Sequence, residues 1–271
     1  MSEPIVLVGC GKMGGAMLSG WIESDFLNDG IFVVEPNTDA IKDFQEVSNI
    51  KTVSYSSEIP KSVKPAVIVL AVKPQTMDEA VPALERFVEG GAAFLSVAAG
   101  KTLGYFEAQL GSKVAAVRAM PNTPAAVGRG ITVYVANNNV SEKKVKLCGD
   151  LLSAVGEALL IEDEALLDPV TAVSGSGPAY VFFLIEAMAA AGVKVGLPDE
   201  LAMRLARATV SGAGELARLS QDSASQLRIN VTSPGGTTAA ALEVLMSNEG
   251  IQPVFDKAIE AASLRSRELA G

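Results

Sequence analysis

The sequence predicts an α/β chain, with an N-terminal doubly wound parallel sheet followed by an all-α region. Up to about residue 162, short apolar runs alternate with segments of helical spacing, as in a parallel sheet covered on both faces. Beyond that point the strand-like runs stop, and long segments rich in Ala, Leu and Glu replace them. We therefore expect two domains, at 1–162 and 163–271.

Each predicted strand is a buried apolar run that ends at Gly, Pro or polar residues. The strands are expected at 4–9, 31–34, 67–72, 93–97 and 113–118, with two more, at 131–136 and 157–161, completing the sheet edge. Helices are expected between the first strands at 11–24, 38–47 and 76–87.

The second region is predicted to contain four helices, at 178–194, 198–219, 237–248 and 251–269. The second of them is apolar on more than one side, which favours burial between neighbours. A second chain is a suitable neighbour, so we expect an all-α dimerisation domain and a homo-oligomer.

Composition excludes several classes of partner. The chain is 49% hydrophobic with a net charge of −9, so no basic surface for nucleic acid is expected. The most apolar run, 66–72, is far shorter than the roughly 20 residues that span a bilayer. Cys10 and Cys148 make no disulfide framework, and the opening residues 1–4 lack the basic start of a signal peptide. We expect a cytoplasmic protein without a membrane partner.

The chain contains no histidine. This excludes Ser-His-Asp and Cys-His nucleophilic sites, histidine zinc sites and dehydrogenases that use His as the general acid. No metal site is expected. Any proton must be handled by Ser, Thr, Lys, Tyr, a carboxylate or water.

A glycine-rich loop directly follows the first strand and opens the first helix. It consists of Gly9, Cys10, Gly11, Lys12, Met13 and Gly14. The first glycine permits a tight turn, the second lets a pyrophosphate approach the backbone, and the third lets the helix pack on the strand. This placement predicts a Rossmann-type site for NAD or NADP, against the alternative of a plain glycine-rich turn.

The end of the second strand bears on the choice between NAD and NADP. Glu35 stands where an acid binds the ribose 2′-OH of NAD. Asn37 and Thr38 would receive a 2′-phosphate if Glu35 turned outward. The choice stays open.

Three further turns end strands at the carboxyl edge of the sheet, where doubly wound folds bind ligands. They are 71–74, 98–100 and 120–124. Each turn alone has a plain structural explanation, since Pro and Gly mark turns everywhere. Together they predict that the cofactor is lined by Ala71, Val72, Lys73, Pro74, Ala98 and Asn122.

Two polar, glycine-rich loops, 173–180 and 230–238, open helices of the second region. The second loop places hydroxyls and a Gly-Gly pair before a helix. Free N–H groups, the positive end of the helix dipole and Thr hydroxyls would suit a small carboxylate. The alternative is a helix start with Thr as the N-cap residue, and local chemistry does not decide between them.

The sequence resembles the pyrroline-5-carboxylate reductase family over essentially its whole length. The resemblance rests on the glycine loop, Ala71–Pro74, Arg118–Pro124, Ser174–Tyr180 and Ser233–Thr238. It implies NAD(P)H-dependent reduction of the cyclic imine 1-pyrroline-5-carboxylate to L-proline, the last step of proline biosynthesis, by a dimer or an assembly of dimers. The alternative is another two-domain reductase of imines or 3-hydroxy acids.

The resemblance also implies the residues of the substrate site. Thr238 is expected near the imine nitrogen as the catalytic positioner and proton relay, with Lys73 as the alternative acid. Asn230 is expected to reach towards the cofactor. The remaining substrate-binding residues are expected to be Glu164, Ser176, Val231, Thr232, Ser233, Gly235, Gly236 and Thr237.

One stretch departs from the family pattern. Residues 221–229 lack the usual His-Pro, and Ile229 stands where an Asp is common. The expected chemistry agrees with the missing histidine, because a cyclic imine carries its proton beforehand as an iminium. The site then mainly orients the substrate against the nicotinamide.

Overall fold

The computed structural model describes residues 3–24, 26 and 29–270. They form two compact units: a sheet unit, which extends to Gly175 and includes the segment from Ser263 onwards, and a helical unit, Ser176–Ala262. The expected domain boundary after residue 162 stays a prediction. By their contacts, residues 163–175 group with the sheet unit. Residues 1–2, part of the signal-peptide argument, lie outside the described residues.

The sheet unit is built on eight strands in the order β3-β2-β1-β4-β5-β6-β7-β8. Their bounds are β1 Ile5–Val8, β2 Ile31–Val34, β3 Ile50–Val53, β4 Val67–Leu70, β5 Ala93–Ser96, β6 Ala115–Met120, β7 Gly130–Ala136 and β8 Gly156–Leu160. The predicted doubly wound sheet is thereby confirmed, with two differences. Strand β3 was not predicted, and β7 runs antiparallel to β6 whereas every other pair is parallel.

The strand order changes direction beside β1, which lies between β2 and β4. In the register of these strands Val8 pairs with both Val34 and Leu70, and Leu70 pairs with Ser96. The residues that follow these strands therefore lie together at one carboxyl edge. Ligands bind at such a switch point in open α/β sheets.

Strands β1, β2, β4 and β5 are buried throughout, because helices cover both faces of the sheet. One face packs into a core around Leu7 and Trp21, and the other into a core around Ile68 and Phe94. The indole N–H of Trp21 donates to the carbonyl oxygen of Leu151 at 2.9 Å.

Three helices of seven or more residues cover the sheet unit: α1 Lys12–Glu23, α2 Leu103–Leu110 and α3 Glu142–Ser153. Two predicted helices are much shorter than expected. The segment 38–47 forms one helical turn, Thr38–Ile41, and a 3₁₀ turn, Lys42–Phe44. The segment 76–87 is broken into short turns around Pro82, which lacks the backbone N–H that a continuous helix needs.

The helical unit continues with α4 Gly177–Lys194, α5 Asp199–Leu219, α6 Ala224–Asn230, α7 Thr237–Leu245 and α8 Ile251–Ala270, whose last turns belong to the sheet unit. This confirms the predicted helical second region, although α6 was not predicted. The buried hydrophobic residues of the described helical unit are all alanines: Ala189, Ala202 and Ala206. Its larger apolar side chains, such as Phe182 and Phe183, are exposed.

One helical run, Glu164–Lys194, is long and apolar enough to cross a membrane by length and composition alone. Only 6% of its most apolar window is buried within the chain. A helix that packs against a second protein chain has the same two properties.

Candidate dinucleotide and substrate site

The glycine loop is shaped by the close approach of β1, α1 and the turn after β4. Gly9 has a φ of +91°, and a Cβ there would lie 2.8 Å from Cγ1 of Val72 and 2.9 Å from the carbonyl oxygen of Ala71. A Cβ on Gly14 would collide with the carbonyl oxygen of Gly9. Both glycines are therefore required by the packing of the chain itself.

Gly11 differs from its two neighbours in the motif. A Cβ built on Gly11 would have no heavy atom within 4 Å, so the packing of the protein does not require glycine there. Gly11 is also the N-cap residue of α1, and no side chain caps that helix end. The open space beside an uncapped helix start fits a pyrophosphate group, and Lys12 and Met13 follow in the first turn.

Glu35 turns towards the glycine loop. Its carboxylate accepts the backbone N–H of Cys10 at 2.7 Å and that of Asn37 at 3.0 Å. Asn37 in turn caps the turn Thr38–Ile41, since its side-chain oxygen accepts the N–H of Asp39 at 3.1 Å. Glu35 thus also fixes the glycine loop, and Asn37 fixes the turn after β2. Their roles towards NAD or NADP stay predictions.

The two thiols are poorly suited to chemistry. Burial, followed by the charge of Glu35, raises the pKa of Cys10 to about 11, and burial raises the pKa of Cys148 to about 12. Both are therefore protonated at neutral pH and weakly reactive. No group of three or more His, Cys, Asp or Glu within the described ranges is arranged to hold a metal ion.

The turns after β4 and β5 extend the hydrogen bonding of the sheet. The N–H of Ala71 donates to the carbonyl of Val8 at 2.8 Å, which brings the turn 71–74 beside the glycine loop. Ala98 is buried, and its N–H donates to the hydroxyl of the buried Ser96 at 3.2 Å. The structure therefore gathers Ala71, Val72, Lys73, Pro74 and Ala98 at the same edge as the glycine loop.

Asn122 uses both ends of its side-chain amide within the sheet unit. The Nδ2 atom donates to the carbonyl of Ser174 at 3.2 Å, and the Oδ1 atom accepts the N–H of Ile131 at 3.0 Å. These contacts hold the turn after β6. Its expected contact with the cofactor stays a prediction.

A buried arginine holds Glu164. Nη1 of Arg118 donates to Oε1 of Glu164 at 2.9 Å, and the same oxygen accepts the N–H of Leu103 at 2.9 Å. Nη2 lies 4.0 Å from Oδ1 of Asp168, and Ser266 donates its hydroxyl to that oxygen at 2.7 Å. Sequence reasoning missed this cluster, because Arg118 and Glu164 lie 46 positions apart and no local pattern links them.

A second polar cluster joins the turns after β4 and β5. Oδ1 of Asp78 accepts the hydroxyl of Tyr105 at 2.7 Å and the ammonium of Lys101 at 3.0 Å. These hydrogen bonds lower the pKa of Asp78. Burial and the bond to Asp78 raise the pKa of Tyr105, so its phenol is a weak acid that stays protonated. No local sequence pattern indicates this cluster either.

In the helical unit, the loop before α7 begins the helix without a threonine cap. Gly236 is the N-cap residue, so no side chain caps the start of this helix. The backbone N–H of Gly236 donates to the carbonyl of Ser233 at 3.0 Å. Gly235 has a φ of +68°. Thr237 and Thr238 occupy the first turn, and Thr238 is half-buried. The alternative of Thr as the N-cap is therefore not the observed arrangement.

Two expected site residues of this loop are engaged locally. The hydroxyl of Thr232 donates to the carbonyl of Arg228 at 2.6 Å. Asn230 donates to Asp222 at 3.2 Å and accepts from Gln226 at 2.8 Å. Of the remaining expected residues, Val231 is exposed and Ser176 precedes α4 without capping it through its side chain.

Comparison with known proteins identifies the family. Residues 164–269 match the family described as pyrroline-5-carboxylate reductase dimerisation, and residues 4–100 match the family described as NADP oxidoreductase, coenzyme F420-dependent. A pyrroline-5-carboxylate reductase of Pseudomonas aeruginosa is 40% identical over 271 residues, covering 100% of this chain and 98% of that protein. The chain belongs to the pyrroline-5-carboxylate reductase family.

Other members are similarly related. The enzyme of that name from Synechocystis is 38% identical over 99% of both chains. The solved pyrroline-5-carboxylate reductase of Coxiella burnetii has a TM-score of 0.91 at 34% identity and covers 100% of both chains. A Plasmodium falciparum pyrroline carboxylate reductase with NADP bound has a TM-score of 0.80 at 31% identity, over 99% of this chain and 98% of that one.

These findings confirm the predicted family and an NAD(P)-dependent oxidoreductase acting on a CH–NH group, and they favour that prediction over the 3-hydroxy-acid alternative. The fold also occurs in more distant proteins. Prephenate dehydrogenase of Aquifex aeolicus, at 16% identity and a TM-score of 0.54, shares the fold alone. The individual site residues stay predictions.

Proposed function

We propose that this chain reduces 1-pyrroline-5-carboxylate to L-proline, with NADPH or NADH as the reductant. The observation that carries the proposal is the open backbone at Gly11, in a chain that matches reductases of this name along its whole length. The reaction adds a hydride to the imine carbon and a proton to the imine nitrogen, and it releases NADP⁺ or NAD⁺. The bound dinucleotide supplies the hydride.

The glycine loop is the proposed seat of the pyrophosphate. Gly11 leaves room for it, and the N–H groups at the start of α1 attract its charge. Glu35 and Asn37 border the ribose, and the turns at 71–74 and 98 border the rest of the cofactor. Glu35 already accepts two backbone N–H groups, so its charge faces the loop.

The loop 231–238 is the proposed carboxylate site. Gly235 and Gly236 expose the backbone before α7, and no side chain caps the helix start, so its first N–H groups suit an anion. The half-buried Thr238 would hold the imine nitrogen through its hydroxyl. Because the substrate arrives as an iminium, orientation and a hydrogen bond suffice, and no histidine is required.

We also propose that the protein is cytoplasmic and forms a homodimer or an assembly of dimers. The support is the exposed apolar surface of the helical unit, including Phe182 and Phe183, within the segment that matches a dimerisation domain. A second copy would cover that surface, which also accounts for the exposed apolar run 164–194.

A steady-state assay tests the proposal. The absorbance of NADPH, and separately of NADH, is followed with 1-pyrroline-5-carboxylate, and product proline is quantified. We expect imine-dependent oxidation of at least one reductant, with one proline formed per cofactor oxidised. Oxidation without proline, or no oxidation of either cofactor, would refute the proposed function.

The role of Thr238 has its own test. Thr238→Ala removes the hydroxyl and should lower kcat by about 10²-fold or more, the usual range for a lost proton-handling group. Thr238→Ser keeps a hydroxyl and should retain most of the turnover. The cofactor Kd should change in neither variant. Full turnover in the alanine variant would reject the assignment.

A further inference from the structure

The loop that follows β5 is held by contacts from three parts of the sheet unit. We define residues 98–103 as the edge loop. Lys101 binds Asp78, Leu103 donates its N–H to Glu164, and a Cβ on Gly100 would lie 2.7 Å from the carbonyl oxygen of Leu269. Gly100 also has a φ of +74°, which favours glycine. The edge loop thus has little freedom to move while these contacts persist.

Of these contacts, the one with Glu164 connects the edge loop to the buried guanidinium of Arg118. Arg118 is 3% exposed, and its Nη2 is the buried side-chain polar atom of the described residues that lacks a hydrogen-bond partner. Glu164 supplies the hydrogen bond to the guanidinium, since Asp168 is 4.0 Å away. A buried arginine needs a hydrogen-bonded counter-charge, so the positions of Arg118 and Glu164 depend on each other.

The same carboxylate oxygen connects the arginine to the edge loop. Leu103 is the first residue of α2, and its N–H is one that the helix itself leaves without a partner. Glu164 therefore anchors the start of α2, while Thr102 caps the helix through the N–H of Tyr105. Both hydrogen bonds use Oε1 of Glu164, so this carboxylate is held in place by the sheet unit itself.

We infer that Arg118 and Glu164 are a positioning pair for the cofactor: Arg118 fixes Glu164, and Glu164 fixes the edge loop, whose Ala98 borders the nicotinamide dinucleotide. Glu164 then affects the cofactor through its hydrogen bond to Leu103. We infer this role in place of the substrate contact that the resemblance implies. The part of the inference that concerns turnover rests on the proposed function. The part that concerns cofactor binding rests only on the proposed position of Ala98 beside the dinucleotide.

The test measures the Kd for NADPH directly, by the fluorescence of the bound nicotinamide without any imine present. Arg118→Lys and Glu164→Ala should each raise this Kd about tenfold. Glu164→Gln keeps an oxygen for the N–H of Leu103 and should restore most of the affinity. Asp168→Asn is the matched control: it alters a carboxylate of the same cluster that makes no hydrogen bond to Arg118, and its Kd should stay within twofold of wild type.

A double variant tests the dependence within the pair. If Arg118 acts through Glu164, Arg118→Lys combined with Glu164→Ala should be no worse than the weaker-binding single variant. In steady state, the KM for NADPH should rise and the KM for the imine should not. Far-ultraviolet circular dichroism checks folding, and Arg118→Lys, which keeps the charge, carries the test if Glu164→Ala does not fold.

Two results would overturn the inference. One is an unchanged Kd for NADPH in Arg118→Lys or in folded Glu164→Ala. If the KM for the imine is raised in the same variant, Glu164 contacts the substrate and does not position the cofactor. The other is a double variant in which the two single effects multiply. A wild-type chain that binds NADPH but does not reduce the imine would refute the proposed function, and the Kd measurements would still decide the inference.

Discussion

The two units of this protein bury their apolar residues in different ways. The sheet unit encloses large side chains such as Trp21, Phe94 and Phe106 within a single chain. The helical unit buries three alanines and leaves Phe182 and Phe183 exposed, at 58% and 67%. A protein chain that exposes this much apolar surface depends on another surface to cover it. The sheet unit thus buries its largest side chains by itself, whereas the helical unit has the exposed surface that we propose a second copy covers.

The largest effect is expected from a charge placed on the exposed apolar surface of the helical unit. Phe183→Asp places a charge on the surface that we assign to a second copy, and association should weaken by about 2 kcal/mol or more. We expect monomers in light scattering and little turnover. Tyr55→Asp is the matched control, since Tyr55 is 65% exposed in the sheet unit, and it should leave both unchanged. An unaltered dimer in Phe183→Asp would show that this surface has another use.

Within the glycine loop, two alanine substitutions should separate the glycine that packing requires from the glycine that the cofactor requires. Gly14→Ala collides with Gly9 and should lower the free energy of unfolding by about 1–3 kcal/mol. Gly11→Ala meets open space, so only the poorer N-cap residue should lower stability, by less than about 1 kcal/mol. Its methyl group would nevertheless occupy the proposed pyrophosphate position, and the Kd for NADPH should rise about tenfold.

Urea unfolding and NADPH titration measure both quantities for these variants. Gly104→Ala is the control, because Gly104 is exposed in α2 and its nearest atom would be 3.8 Å from the added Cβ. It should stabilise by up to about 1 kcal/mol and leave NADPH binding alone. Wild-type affinity in Gly11→Ala would argue against pyrophosphate at that residue.

A loss of stability of similar size, without an effect on cofactor binding, is expected at the only tryptophan. Trp21→Phe keeps a ring in the core but removes the indole N–H that donates to Leu151. The buried carbonyl then lacks this donor, which should cost about 1–3 kcal/mol. Urea unfolding followed by circular dichroism measures it. Tyr55→Phe, at an exposed position, should change stability by less than about 0.5 kcal/mol, and an equal loss in both variants would contradict the explanation.

The last prediction concerns the pH dependence of stability in the sheet unit, which holds both thiols, and its effect is small near neutral pH. Burial raises the pKa of Cys10 to about 11 and of Cys148 to about 12, from 9.0. Above pH 9 the unfolded chain releases protons that the folded chain keeps, so stability falls as pH rises. Each thiol contributes a slope of up to about 1.4 kcal/mol per pH unit between its unfolded and folded pKa.

Urea unfolding between pH 8 and pH 10.5 measures this slope (a range chosen to span the ordinary thiol pKa). Cys148→Ala should make the slope shallower, although its cavity lowers stability at every pH. A slope that is identical in the variant and the wild type would show that Cys148 does not titrate as its burial implies.

The strands were predictable where burial is complete. β1, β2, β4 and β5 are continuous apolar runs because both faces of the sheet are covered. β3 was missed because it lies at the sheet edge, where Lys51 and Thr52 interrupt the apolar pattern. β7 was predicted as a strand at 131–136, but its antiparallel direction was not, because strand direction depends on the connection and not on the apolar pattern.

The site was predictable only where its signal is local. The glycine loop lies within six consecutive residues, each with a position in a known pattern. Arg118 and Glu164 had to be brought together by the fold, and the chain between them contains two further strands. The resemblance named Glu164 as a substrate residue, but no sequence feature indicated its bonds to Arg118 and Leu103.

The last turns of α8 belong to the sheet unit, and this fixes an order of events during synthesis. Ser266 binds Asp168, and Leu269 contacts Gly100. The ribosome releases these residues only after the whole helical unit has been made. A nascent chain can therefore form its eight strands early, yet the contacts of Ser266 and Leu269 with them form last.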